Sequence, residues 1–492
     1  MVTELRVQNK RWDWDYFLKV RQEVLSEWPT GRELLDPGAL DDAVAYQAAQ
    51  PWWKFAALRN AQAEKEDRTQ ICPQVGHALV EQVVDQTRHC EDLKPDRWIV
   101  ITDTYTRKSQ FARAQEAVER SRGGEYSYLN GYPSAAHGVA GARAINESTP
   151  AGLGTDNCDE DARLTWEILL AGGWTFGTNQ ALNQVIQHSR DYPLEQMIFN
   201  HQYMDCLAAY YTERGAPILR RASANLPGWD SLGAKVVVSL IECLMSAEQG
   251  TKHIDLSLGL GMNLIQDVAA IHTLKKLAQE YLHRFGYDDV KVYSWIYFFL
   301  GDWPRDQAAL TSQLSWNAAV TTLAGCSGMI VKSLDEASST PTKEGFRAGI
   351  KIARQTGRLM SGQRLPEGPD LRLEKDMMEL EARAVIEKVM ELGEGDLAVG
   401  ACRAVEAGVL DTLFSPWRRL KGKVLVVRDR QGALRYLDPG DVPLPPEVRE
   451  YHRAKIAQRE DLEGTTADLK WVIREATWTS RLLEEEAAER PY

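Results

Sequence analysis

No Cys-x-x-Cys pair occurs in this chain of 492 residues. Its seven cysteines (Cys72, Cys90, Cys158, Cys206, Cys243, Cys326 and Cys402) are odd in number and dispersed, which argues against a zinc cluster or a disulfide framework. They suit reduced, buried thiols in a cytoplasm. A long apolar run is also missing. The longest uncharged stretch, Gln307–Val331, carries Gln313, Ser315, Asn317, Thr321 and Thr322, so it reads as a buried helix followed by a strand and not as a membrane span. The opening Met1–Arg6 has no apolar signal core, so a cytoplasmic protein is expected. Basic clusters are absent as well. The net charge is −12 and no long Lys/Arg run appears, which excludes nucleic acid as the expected partner.

Common catalytic signatures fail in turn. There is no His-Glu-x-x-His helix and no Gly-x-Ser-x-Gly elbow. The nine histidines show no metal-ligand spacing. Gly259-Leu260-Gly261 begins like a dinucleotide-binding loop, but the third glycine position holds Leu264, so a turn at a strand end is the better reading.

What is present is a rhythm. Between about residues 69 and 333, short apolar runs end in Gly, Asn, Asp or Thr and are followed by helical stretches. The runs are Ile71–Gly76, Trp98–Asp103, Tyr126–Tyr132, Gly152–Thr155, Gly172–Thr175, Ile218–Ser223, His253–Gly259, Val290–Phe298 and Met329–Ser333. Strands alternating with helices imply parallel pairing, and runs apolar throughout imply strands covered on both faces. The expectation is an α/β protein built on a closed (β/α)8 barrel of the TIM type. The nine runs are one more than such a barrel needs. Residues 1–60, rich in tryptophan and charge, predict an N-terminal helical arm, and 61–393 the barrel. Met378, Ala382, Val385, Val389 and Leu392 fall at helical spacing over 374–392, with Gly393 as the expected cap. Residues 394–492 predict a smaller α+β extension with a hairpin around Asp429–Gly432 and an acidic end at Glu484–Glu486.

Barrel enzymes carry chemistry at the C-terminal ends of their strands. Arg107, just past a strand, is placed to grip a carboxylate through two parallel hydrogen bonds. Lys332 and Glu336, four apart after the last strand, make by themselves only a local ion pair worth ~0.3–0.5 kcal/mol.

Several strings, taken together and in order, resemble one family. They include Glu27-Trp28-Pro29-Thr30-Gly31, Tyr105-Thr106-Arg107, Leu129-Asn130-Gly131-Tyr132-Pro133 and Ala171-Gly172-Gly173-Trp174-Thr175. They continue with Ala247-Glu248-Gln249-Gly250, Asn263-Leu264-Ile265-Gln266-Asp267, Ile330-Val331-Lys332, Pro341-Thr342-Lys343-Glu344, Gly395-Asp396-Leu397-Ala398 and Val427-Arg428-Asp429. From about residue 8 to 475 the chain resembles the large, epsilon-type chain of glutamate (methylaspartate) mutase. That resemblance implies a (β/α)8 barrel sharing adenosylcobalamin with a small subunit, which supplies the cobalt-ligating histidine from an Asp-x-His-x-x-Gly loop. No such loop occurs here, in keeping with that division. It also implies a radical carbon-skeleton isomerisation, glutamate to 3-methylaspartate in the family, in a heterotetramer of two large and two small subunits.

Carried over residue by residue, the resemblance implies cofactor contacts at Gly76, Asn130, Trp303, Lys332, Glu336 and Thr340, with Gln187 in place of a proline contact. It implies no metal ligand in this chain. The substrate set is altered. Arg107 matches one of three arginines that hold the two carboxylates of glutamate. Gln74 stands at a second, and the third falls in Gly152-Leu153-Gly154-Thr155. A glutamate expected at the substrate ammonium falls at Thr178, and two tyrosines fall at Gln184 and His188. Losing one partner of a buried charge pair costs about 2–5 kcal/mol. The arginines at hand as replacements are Arg143, Arg163, Arg220 and Arg221. The expected substrate is therefore glutamate or a related, less charged small acid. A non-catalytic barrel that binds a cobalamin-carrying partner is the alternative reading. A barrel that has abandoned cobalamin fits the retained Asn130, Lys332 and Glu336 less well.

Overall fold

A computed structural model describes residues 7–124, 126–156, 160–228, 230–337 and 341–480. Eight parallel strands close into a barrel in chain order: β1 Gln70–Val75, β2 Arg97–Ile101, β3 Gly152–Asp156, β4 Phe176–Asn179, β5 Leu219–Ala224, β6 His253–Leu258, β7 Lys291–Ile296 and β8 Gly328–Val331. β8 pairs back onto β1, Cys72 opposite Ile330. Helices cover the outer face, so both faces of each strand are closed to water, and the apolar runs follow from that. The uncharged stretch 307–331 is the helix Gln307–Leu323 followed by β8. No helix of the described residues is long and apolar enough to cross a membrane.

Two expected strands are corrected. Tyr126–Tyr132 is a loop that touches the sheet through one bridge, Thr102 to Tyr132. Gly131 lies so close to the end of β2 that a Cβ there would come within 2.6 Å of the Asp103 nitrogen, so the loop crosses the strand end and leaves. Gly172–Thr175 ends a helix instead of forming a strand, with Gly173 at φ +90, and the strand follows at Phe176.

The N-terminal segment is helical, with Trp14–Ser26, Ala39–Ala48 and Ala56–Lys65 as its longer elements. It is tied to the barrel wall by the buried Arg21–Glu167 ion pair at 3.0 Å. The last of these helices closes the base of the barrel. Ala56 and Ala57 meet the interior side chains, and Asn60 reaches inside. Lys54 presses so close that a Cβ on Gly152 would lie 2.4 Å from its carbonyl oxygen.

Beyond the barrel, the helix Pro369–Leu392 packs on Leu232–Glu248 and Leu264–Arg284. It ends at Gly393 as expected, but in right-handed conformation. The left-handed positions fall on Glu394 and Gly395, while Gly393 is needed for closeness, a Cβ there lying 2.0 Å from the Asp396 carbonyl. The C-terminal hairpin exists as β9 Leu425–Arg428 and β10 Leu434–Asp438. Gln266 holds it to the barrel by exchanging hydrogen bonds with the Leu434 backbone at 2.9 and 2.8 Å.

Glu381 locks this joint. Its Oε1 accepts from Ser231 Oγ at 3.1 Å and from the Tyr436 hydroxyl at 2.9 Å, with Arg435, Glu374 and His452 nearby. Burial pushes its carboxyl up to about 7 from 4.5. A raised carboxyl contributes its full stability below the unfolded pKa and loses it as pH rises through the folded one. Thermal denaturation should therefore show stability falling between about pH 5 and pH 8, with Glu381→Gln removing on the order of 3 kcal/mol of that slope. An unchanged slope in the variant would contradict the assignment.

Candidate functional site

Alternate residues of each strand point into the barrel, and here the inward set is charged to an unusual degree. β2 contributes Arg97, β6 Asp255, β5 Arg221 and β3 Asp156, all buried. At the base, Gln70 and Arg97 both donate to Asn60 Oδ1, at 2.7 and 3.0 Å. Asn60 in turn donates to Asp255. Asp255 then stands between two guanidinium groups, Arg97 at 3.5 Å and Arg221 at 3.7 Å. Arg221 reaches on to Asp156 at 2.9 Å, and Asp156 accepts from Gln74 on β1 at 2.9 Å. The chain of contacts thus climbs from base to mouth and crosses the barrel.

Two arginines and two aspartates balance in charge, which is the condition for burying them. Trp295 on β7 lies between the guanidiniums, with Arg97 4.1 Å and Arg221 4.6 Å from its ring. Phe176 faces the same pair at 4.8 and 5.6 Å. The aromatic faces supply cation–π attraction where water is excluded. Two glycines make room. A Cβ on Gly154 would strike the Phe176 ring at 2.3 Å, and one on Gly328 the Trp295 ring at 2.1 Å. Burial drives the Asp255 carboxyl upward, while Arg97 and Arg221 pull the other way.

Above this network, at the C-terminal ends of β1, β2 and β8, lies a cavity of about 330 Å³. Five residues expected from sequence line it together: Gln74, Gly76, Asn130, Lys332 and Glu336. They come from widely separated stretches. Lys332 is bonded to Glu336 at 2.7 Å and lies 4.4 Å over the Phe298 ring. Trp303 stacks edge-on against the same ring at 5.6 Å, so it reaches the pair through Phe298. Asn130 is exposed and accepts from Thr104 Oγ1 at 3.1 Å. Gly76 is required by packing alone, since a Cβ would lie 2.9 Å from Gly131.

Arg107 is half-buried beside the mouth. Its Nε donates to the Thr102 carbonyl at 2.6 Å, and among the described residues its terminal nitrogens have no partner. Thr102 in turn meets Thr155, the neighbour of Asp156, at 3.3 Å. Thr178 is buried on β4 opposite Arg221. Gln184 is buried and His188 exposed on the helix Ala181–His188. The first turn of that helix is capped by Glu242, which accepts from the Leu182 nitrogen at 2.6 Å and whose carboxyl burial raises to about 8. Neither Gln184 nor His188 lines the cavity. Gln187 donates to the Asn225 carbonyl past β5. Thr340 lies outside the described residues.

Of the stretch Gly152–Thr155, where the third arginine position was read, Gly152 opens β3 at the base, against Lys54. The residue β3 brings toward the mouth is Asp156, which the sequence reading missed. Its signal was slight, an acid at the end of an apolar run. Of the four replacement arginines, only Arg221 points inward. Arg143 lies over Tyr46, Arg163 pairs with Asp161, and Arg220 is buried outside the barrel with Asp205.

Comparison with known proteins places the chain beside one family. The family described as Methylaspartate mutase E chain (MutE) matches residues 52–483. The glutamate mutase epsilon subunit of Desulfitobacterium hafniense (strain Y51) is 37% identical over 469 residues, 94% of this chain and 96% of that one. The subunit of the same name from Escherichia coli O157:H7 is 34% identical over 475 residues, 95% and 97% of the two chains. That from Haloarcula marismortui is 31% identical over 461 residues, 93% and 92%.

Breaking a buried ion pair leaves an uncompensated charge, whereas an accessible pair contributes little. Asp255→Asn should therefore cost about 3–5 kcal/mol in denaturant unfolding, and Glu336→Gln less than ~1 kcal/mol. Equal losses would show that the interior network does not hold the barrel.

Proposed function

The chain belongs to the methylaspartate mutase E chain family, and on that premise we propose that it is the large subunit of an adenosylcobalamin-dependent carbon-skeleton mutase. Its reaction in this reading is the radical isomerisation of glutamate to 3-methylaspartate, or of a related acid. The observation that carries it is the convergence of Gln74, Gly76, Asn130, Lys332 and Glu336 on one cavity at the barrel mouth.

The residues present fit the adenosyl part of the cofactor. Lys332 and Glu336 offer a donor and an acceptor for ribose hydroxyls, and Phe298 and Trp303 an aromatic wall. In this reading the cobalt ligand comes from a small subunit carrying Asp-x-His-x-x-Gly, as the resemblance to the family implies. A cytoplasmic heterotetramer of two large and two small chains is the corresponding assembly. Adenosylcobalamin, when bound, supplies radical chemistry through its cobalt–carbon bond. The chain's own part is to position and to shield. Arg107, whose terminal nitrogens have no hydrogen-bond partner among the described residues, takes a substrate carboxylate. The closed barrel and its plugged base keep water from the reacting carbons. Thr178, Gln184 and His188 belong to the substrate side, and Thr340 to the cofactor side, in the same proposal.

Two tests follow. The chain is mixed with a cobalamin-binding small subunit and adenosylcobalamin, then offered glutamate and related amino, oxo and hydroxy acids. A change in the cofactor's visible absorption and a rearranged product by NMR are expected. No change with any acid would refute the mutase reading and favour a barrel that only binds its partner. In the active complex, Arg107→Ala should lower kcat/KM at least ~30-fold, the loss of about 2 kcal/mol from one charged contact.

A further inference from the structure

We propose that Asp156 sets the substrate class: a monocarboxylate whose second arm is neutral and hydrogen-bonding. The inference rests on the mutase reading and concerns the same barrel. Each cation that the strands bring to the interior or mouth can be followed to its partner. Arg97 meets Asp255, Arg221 meets Asp156, and Lys332 meets Glu336. Arg107 alone among these four makes no ion pair among the described residues, its acidic neighbour being the buried Asp103, whose carboxyl it draws downward without a hydrogen bond to its terminal nitrogens. One carboxylate can be neutralised there. A second would find its nearest buried guanidinium, Arg221, already bound to Asp156, and would face that carboxylate as a like charge.

Two groups beside Asp156 are unmet. Among the described residues, Gln74 Oε1 and Arg221 Nη2 are buried without a hydrogen-bond partner, at residues 2% and 1% exposed. Gln74 also lines the cavity above. A buried acceptor and a buried donor, both flanking Asp156, are the complement of a carboxamide or hydroxyl, which can donate to one and accept from the other. Asp156 therefore acts as a resident carboxylate. It neutralises Arg221, orients the Gln74 amide by accepting from Nε2, and leaves a polar but uncharged berth.

L-glutamate and L-glutamine form the cleanest probe pair, being alike in shape and different by one charge. Calorimetric titration of the full chain, alone and assembled with a cobalamin-binding small subunit, measures binding without turnover. Glutamine should bind at least ~10-fold more tightly, and Asp156→Asn, which frees Arg221, should shift the preference toward glutamate by ~10–100-fold, the range of one charge-assisted hydrogen bond. Circular dichroism checks that the variant is folded. If it is not, the wild-type ratio decides alone. Glutamate bound as tightly as glutamine, neither ligand bound, or an unshifted ratio in folded Asp156→Asn would each overturn the proposal. An inactive complex that still prefers glutamine would refute the mutase reading and leave the assignment of Asp156 standing.

Discussion

The charged column inside the barrel is the constraint on which the rest of the molecule depends. A (β/α)8 interior is usually filled with branched aliphatic side chains in layers. Here Arg97, Asp255, Arg221 and Asp156 occupy it, and an interior of that kind is stable only if every charge is matched. The matching dictates its surroundings. Asn60 must enter from the base to serve Gln70, Arg97 and Asp255 together. Trp295 and Phe176 must present their faces to the guanidiniums, and Gly328 and Gly154 must stand where those rings lie. The N-terminal helices are thus part of the barrel's electrostatics as well as its cover.

That column also reaches from the base of the barrel toward its mouth. Its lower half is structural, closed by the Ala56–Lys65 helix. At its upper end Asp156 accepts from Gln74, which lines the cavity at the mouth. A change of charge at its upper end alters the neutrality of the whole column. A carboxylate at Asp156 and an amide at Gln74 therefore belong together with Arg221, and none of the three is to be read singly.

Much of the fold was legible. Strands buried on both faces leave near-continuous apolar runs, and runs of that kind located the barrel strands to within a few residues. The errors fell where local composition imitates a strand. Tyr126–Tyr132 is aromatic but bends at Gly131 across the end of β2, and Gly172–Thr175 is the turn before β4. The Lys332–Glu336 pair was legible from spacing, because side chains four apart in the tight turn after β8 come together locally. Asp156 was not, since its partners lie 82 and 65 residues away on β1 and β5.

By itself, the sequence determined the alternation of strand and helix and the family, since these follow from local periodicity and ordered motifs. Tertiary structure alone decided which inward residue each strand raises to which height. Gly152 and Asp156 are four residues apart on one strand, yet one meets Lys54 at the base and the other meets Gln74 and Arg221 toward the mouth. A strand rises about 3.3 Å per residue, so that spacing spans most of the barrel's depth. Only closure of the ring, with its fixed register between neighbours, sets where along that depth each side chain stands and which charge across the barrel it meets.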